Sequence, residues 1–365
     1  MIIGLFVILL LVLTLPFFIK KVEENLEIFL FIMGLFAVTL TAQWNATLIR
    51  EALEEPVKIT LAVLAAGILF RYIQKPIAQN VNKIISKIGL KTFVFLTVML
   101  LGFLSSVITA IVAALVLVEI VSAMHLDRRS EIKLVVVACF SIGFGAALTP
   151  IGEPLSTIVI GKLKDFPYNA GFWFILEHFW YYIVPAVLGV SILAVFFMKD
   201  AKTNELGLVE EAQEGIKDII LRTGKIYLFV MALVFLGTGF KPVVDTYISK
   251  IPYQALYWIN IVSAVLDNAT LAAAEIGPAM EMHQIKAAML GLLIAGGMLI
   301  PGNIPNIIAA GKLKIKSKEW AEIGVPVGLI IMVVYFGFIM LDLDKGIKPE
   351  KKIEKTYAQV LKNKI

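Results

Sequence analysis

The sequence predicts an all-α polytopic membrane protein: two N-terminal helices, then an inverted repeat whose halves each hold three transmembrane helices, one of them broken, and a re-entrant hairpin. Three observations predict it. Apolar residues make up 59% of the 365, charged residues only 17%, and mean hydropathy is +0.88; several apolar runs approach the roughly 20 residues that span a bilayer. The stretch Leu148-Thr149-Pro150-Ile151-Gly152-Glu153-Pro154 through Gly161-Lys162-Leu163 returns at an offset of 150 as Leu299-Ile300-Pro301-Gly302-Asn303-Ile304-Pro305 through Gly311-Lys312-Leu313. Each copy interrupts an apolar run of about thirty residues with Pro, Gly and polar groups. In lipid, backbone leaves the helix only where protein or a water-filled cavity satisfies it, and paired interruptions point to a binding site at the repeat interface. Third, a unit with three crossings is odd, so its tandem copy inserts upside down.

Residues 2–19 form the first span and residues 26–42 the second, ending at Gln43-Trp44, where an indole suits the membrane interface. Residues 50–55 read as a short polar connection, 57–73 as the third span, and 76–87 as a basic amphipathic helix on the surface. Residues 92–124 are too long for one crossing and too short for two. They read as a re-entrant hairpin with arms of about a dozen residues around a turn at Ser105, Ser106 and Thr109. The alternative is one long tilted helix whose serines bond back to their own turn. Residues 134–163 are the first broken span and 178–198 complete the half. In the second half 224–240 span, 253–282 form a hairpin with its tip at Asp267-Asn268-Ala269-Thr270, 285–311 are broken, and 323–341 span last. The domains are therefore 1–56, 57–198, a linker at 199–222, 223–342 and a charged tail at 343–365.

The net charge of +5 does not indicate nucleic acid, because the basic residues sit in short loops between apolar runs and record orientation. With the N-terminus outside, most of these loops share one face; the lysine-rich tail is the exception. One cysteine, Cys139, assembles neither a disulfide nor a thiolate site. The first segment lacks a basic n-region and a cleavage site, so it is a retained helix. His125, His178 and His283 lie far apart, and no P-loop, HExxH or serine-nucleophile pattern occurs. Neither an enzyme nor a resident cofactor is expected; an intramembrane hydrolase would need a close aspartate pair. Gly143, Gly145, Gly296 and Gly297 suit close packing or hinges better than a phosphate cradle.

An ionisable group at membrane depth is a functional candidate by default. Glu153 sits in the first break and Asp267 on the second tip, and the inverted repeat brings both toward one depth. Glu153 also suits the N-terminus of the half-helix starting at Pro154. Neutral oxygen donors fill out the site: Ser105, Ser106, Thr109, Thr149, Ser156 and Thr157 from one half, Asn268, Thr270, Asn303 and Asn306 from the other, with Gly152 and Gly302 at the breaks. No Lys or Arg is expected beside them, so a monovalent cation such as Na+ at Glu153 and Asp267 fits better than an anion. Glu119-Ile120-x-x-Ala123-Met124 and Glu275-Ile276-x-x-Ala279-Met280 match on the return arms. At 1.5 Å per residue Glu119 lies about 20 Å from Ser106, near water, and Glu275 about 12 Å from Asp267, where it could pass protons.

A polar hairpin tip followed by a Gly-x-Pro-x-Asn-like broken helix, once per half, resembles the ion transporter superfamily of sodium/proton antiporters, arsenite-pump membrane subunits and divalent-anion/sodium symporters. Thr149-Pro150-Ile151-Gly152-Glu153-Pro154 and Leu266-Asp267-Asn268-Ala269-Thr270 look most like a prokaryotic family of uncharacterised cation transporters. The resemblance implies an elevator-like or rocking carrier, a homodimer in the plasma membrane of a prokaryote, with sodium where tips meet breaks. It carries that role onto Ser105, Ser106, Thr109, Gly152, Glu153, Ser156, Asp267, Asn268, Thr270, Gly302, Asn303 and Asn306. The symporters' Ser-Asn-Thr tip is missing: the first tip lacks Asn and the second carries Asp. Na+/H+ exchange is therefore expected, with anion transport of the arsenite or dicarboxylate kind as the alternative.

Overall fold

The structure is a computed structural model that describes residues 1–19, 21–22, 25–164, 166–199, 216–247, 251–266, 268–278 and 280–341. Its elements are helices throughout: α1 (Ile2–Phe18), α2 (Leu26–Thr41), α3 (Ala46–Ile88), α4 (Leu90–Ile108), α5 (Ala110–Ala123), α6 (Arg128–Ala146), α7 (Pro154–Lys162), α8 (Phe174–Phe197), α9 (Ile216–Tyr247), α10 (Tyr253–Ile259), α11 (Asn268–Glu275), α12 (Met282–Gly296), α13 (Ile304–Leu313) and α14 (Ser317–Met340). Short 3-10 turns follow at Asn260–Ala264 and Ile300–Gly302. Among the described residues, Leu90–Ile108, Phe174–Phe197, Thr223–Phe240 and Ser317–Met340 are long and apolar enough to cross a bilayer, and shorter apolar helices accompany them. This is the pattern of a multi-pass membrane protein. The tail at 343–365 and residues 200–215 of the linker lie outside the described residues.

Two segments differ from expectation early in the chain. The polar connection, third span and surface helix form one 43-residue helix, α3, roughly 65 Å long at 1.5 Å per residue. Asn45 starts it by accepting the Leu48 amide at 2.8 Å, Arg50 and Glu54 pair one turn apart at 2.7 Å, and Gly89 ends it at φ +80°. The polar residues that read as a loop stabilise the first turns instead, and helices tolerate the prolines at 56 and 76 where neighbours re-satisfy the backbone. Likewise α9 begins inside the expected linker and runs on past the expected span.

The first hairpin has a longer outgoing arm than expected. α4 has 19 residues and meets α5 at Thr109 alone, which takes φ 76°. Ser105 and Ser106 are not in a turn: their hydroxyls donate to the Gly102 and Phe103 carbonyls one turn back, at 2.6 and 2.7 Å, which keeps that segment helical. In the second hairpin Asn268, Ala269 and Thr270 form the first turn of α11 rather than a loop, and Ile276-Gly277 ends the return arm early. Both broken spans are interrupted as expected, at residues 147–153 and 297–303.

Contacts between elements pair up across the halves. α4 packs on α6 as α10 packs on α12, α6 on α8 as α12 on α14, and α3 on α5 as α9 on α11. Across the halves, α5 lies on α13 and α11 on α7. Small residues make the closest of these crossings. A Cβ on Gly145 would sit 1.7 Å from the Gly102 carbonyl, and one on Gly291 2.7 Å from that of Tyr257. Hydroxyls then pin the crossings: Ser141 donates to Val98 and Ser105 to Ile142 in one half, Ser263 to Leu292 in the other, at 2.9, 3.0 and 3.2 Å. The N-terminal pair attaches to the second half, α2 against α9, with Lys225 and Glu27 2.8 Å apart.

Candidate functional site

Each broken span restarts in the same way. Glu153 and Asn303 hold the N-cap positions of α7 and α13 in extended backbone, φ −154° for both, with a proline in the first turn. Neither side chain makes the cap hydrogen bond to its own helix. The capping role open to Glu153 on sequence grounds is therefore not the one it takes, although it keeps the electrostatically favoured place at a helix N-terminus.

Just before each N-cap the chain folds back onto the helix it has left. A Cβ on Gly152 would lie 2.0 Å from the Ala146 carbonyl, and one on Gly302 2.5 Å from that of Gly296. These pairs are related by the same offset of 150, and only a residue without a Cβ fits either. The half-helix is then tied across the break. Ser156 Oγ donates to the Ala147 carbonyl at 2.7 Å, while Asn306 Nδ2 donates to those of Gly296 and Leu299 at 2.8 and 2.9 Å. Ser156 and Asn306 thus do structural service that the sequence did not assign them. At about 1 kcal/mol per hydrogen bond, more where a buried group loses its partner, Ser156→Ala is expected to cost about 1 kcal/mol and Asn306→Ala about 2–3. Thermal unfolding of the two variants in detergent measures the difference.

The hairpin tips seat on these breaks. At the first, the Ala110 amide donates to the Gly152 carbonyl at 2.9 Å, Thr149 Oγ1 donates to the Ser106 carbonyl at 2.5 Å, and Thr109 Oγ1 accepts the Val112 amide at 3.3 Å. At the second, a Cβ on Gly302 would meet the Ser263 carbonyl at 2.7 Å, and one on Gly296 would lie 3.6 Å from Asn268 Nδ2. The second break also packs against α6 of the first half. A Cβ on Gly143 would lie 2.9 Å from Asn303 Nδ2, one on Gly297 would strike the Phe140 ring, and Cys139 Sγ donates to the Pro305 carbonyl at 3.7 Å. Gly143, Gly145, Gly296 and Gly297 are close-packing positions around this junction.

Of the sequence-nominated residues, Ser106, Thr109, Thr149, Gly152, Glu153 and Ser156 lie at the first break and its tip, and Asn268, Gly302, Asn303 and Asn306 at the second. Glu153 is 5% exposed and Asn303 4%. Ser105 is buried one step away in the α4–α6 crossing. Thr157 is exposed and donates to the Pro150 carbonyl at 2.8 Å, so it does not face the junction. Asp267 and the side chain of Thr270 lie outside the described residues.

One expectation needs correction. Glu119 is not near water: it is buried against Lys312 of α13, Oε1 to Nζ 3.0 Å. Basic residues are buried as well. Lys286 in α12 is 4% exposed and donates to the Tyr181 hydroxyl at 2.7 Å. Hydropathy along the chain misses both, because Glu119 and Lys312 find each other only through packing of the two halves, and Tyr181 shields Lys286 from a distant helix. The serine and asparagine anchors Ser141, Asn260 and Ser263 were also missed; the only signal was small polar residues spaced along apolar helices.

Residues 2–342 match the family described as Protein of unknown function (DUF1646). The chain belongs to that family. The match takes in both hairpins, both breaks and the last helix of this DUF1646 protein. No curated protein matches the chain.

Proposed function

We propose that this DUF1646 protein is a secondary-active cation transporter, not an enzyme, exchanging Na+ for H+ by alternating access. Glu153 and Asp267 bind the cation when ionised and protons when not. The observation that carries the reading is Glu153 itself: a carboxylic acid 5% exposed, at the interruption of an apolar helix, beside a hairpin tip that donates a main-chain hydrogen bond to its neighbour Gly152. Acids are costly in such surroundings and persist where they handle ions. Oxygen is also available at the matching break. Asn306 uses both amide hydrogens on carbonyls and leaves Oδ1 buried without a partner, and unwound backbone offers further carbonyls.

The paired contacts of the two halves support a structural repeat, and the odd number of crossings and the motif resemblance support its inversion, re-entrant hairpins, membership in the ion transporter superfamily, a homodimer and the plasma membrane of a prokaryote. The test is purified protein in liposomes loaded with a pH dye. A pulse of external Na+ is expected to drive protons out of the vesicle lumen; no response to Na+, Li+ or K+ overturns the proposal.

One observation favours a second reading. The N-termini of α5, α7, α11 and α13 all lie at tips or breaks, and Asn268 Nδ2 is a buried donor without an acceptor. Helix N-termini and amide donors attract anions, and buried lysines weaken the charge argument against them. Counterflow of labelled oxyanions and dicarboxylates in the same liposomes separates the two, since only this reading expects exchange.

A further inference from the structure

We infer that the two halves carry a pair of alternating ion-pair latches, Glu119–Lys312 and Glu275–Lys162, of which this conformation has the first closed and the second open. The inference rests on the alternating-access reading and goes beyond it by naming what holds each state.

Both pairs come from repeated sequence. Glu119 and Glu275 open the matching Glu-Ile-x-x-Ala-Met stretches on the return arms, and Lys162 and Lys312 end the two half-helices in Gly-Lys-Leu. Each glutamate's helix packs on the helix of the opposite half that carries the matching lysine: α5 on α13, α11 on α7. The two interfaces nonetheless differ. At α5–α13 the bridge is made, Nζ to Oε1 3.0 Å, with side chains 10% and 7% exposed. At α7–α11 Lys162 is exposed, while Glu275 is 8% exposed and accepts a hydrogen bond from Asn260 of its own half. Its Oε2 is buried and has no partner.

A buried carboxylate oxygen without a partner is unfavourable, and an approaching cation relieves it. The repeat supplies a lysine on the neighbouring helix, where it is exposed. In a carrier whose halves exchange roles, the second state has Lys162 on Glu275 and the Glu119–Lys312 bridge undone. Each latch spans the halves, so making one opposes the movement that makes the other.

Disulfide cross-linking in liposomes tests this, in a Cys139→Ser background. Lys162→Cys with Glu275→Cys is expected to cross-link, and adding Glu119→Gln, which undoes the closed latch, is expected to speed it about tenfold by shifting the population. Reversing the bridge with Glu119→Lys and Lys312→Glu rebuilds the latch and returns the rate to that of the parent, which a merely damaged fold would not do. Locking Glu119→Cys to Lys312→Cys first is expected to suppress the second cross-link. No acceleration by Glu119→Gln, or both cross-links formed together in one molecule, overturns the latches. The readout is conformational, so it stands apart from the Na+ pulse: a protein that moves no cation overturns the transport reading and still reports on the latches.

Discussion

Na+-driven proton movement is expected to be lost when Glu153 becomes Gln, and equally when Asp267 becomes Asn. Glutamine keeps the size of Glu153 but replaces an acceptor oxygen with a donor NH2, and on the proposed mechanism it removes both the charge that would attract a cation and the proton that would be exchanged for it. A unit charge about 4 Å from a cation is worth roughly 4 kcal/mol at an effective dielectric of 20, and each 1.4 kcal/mol is a factor of about ten, so a fall on the order of a hundredfold or more is expected. Glu153→Gln should stay folded, because the Glu153 side chain does not cap α7 and Gly152 and Ser156 hold the break. The pH-dye assay reads the loss, and thermal unfolding in detergent reads the intact fold. Full Na+ response in both variants would remove these carboxylates from the site.

Alanine at Gly152 or Gly302 unfolds the break. The added methyl would stand 2.0 Å from the Ala146 carbonyl in one case, and in the other 2.5 and 2.7 Å from the Gly296 and Ser263 carbonyls. Overpacking a core commonly costs about 1–3 kcal/mol, and here the obstacle is backbone that no rotamer change can clear, so about 3 kcal/mol or more is expected. The first tip would also be displaced, since the Ala110 amide bonds to Gly152 itself. Gly161 and Gly311 make the control. They are related by the same repeat, and a Cβ on either meets nothing within 4 Å, so Gly161→Ala and Gly311→Ala should leave transport within error of the parent and the unfolding temperature unchanged or slightly raised. Yield of monodisperse protein and its unfolding temperature decide the comparison.

Much of the site was legible before folding because its elements break a strong rule. Pro150, Gly152, Pro154, Pro301, Gly302 and Pro305 stand inside apolar runs, where a helix would otherwise continue, and the breaks at 147–153 and 297–303 fall where they predict. The boundaries of α3 and of the first hairpin were misread for the opposite reason. Arg50, Glu54 and Ser105 look like loop residues by polarity, but each forms a local bond that suits a helix.

The chain alone indicated a multi-pass membrane protein with two matching apolar runs, each interrupted by a Gly-Pro segment carrying a polar residue, because hydropathy and repeat spacing are properties of linear sequence. Packing alone decided which polar atoms face the junction and which are consumed in holding it. Ser156 and Asn306 occupy equivalent positions, yet their hydrogens go to carbonyls that only folding back of each break brings within reach. The unequal fates of Glu119 and Glu275 were likewise invisible, since an ion pair between residues 193 positions apart exists only once one half lies against the other.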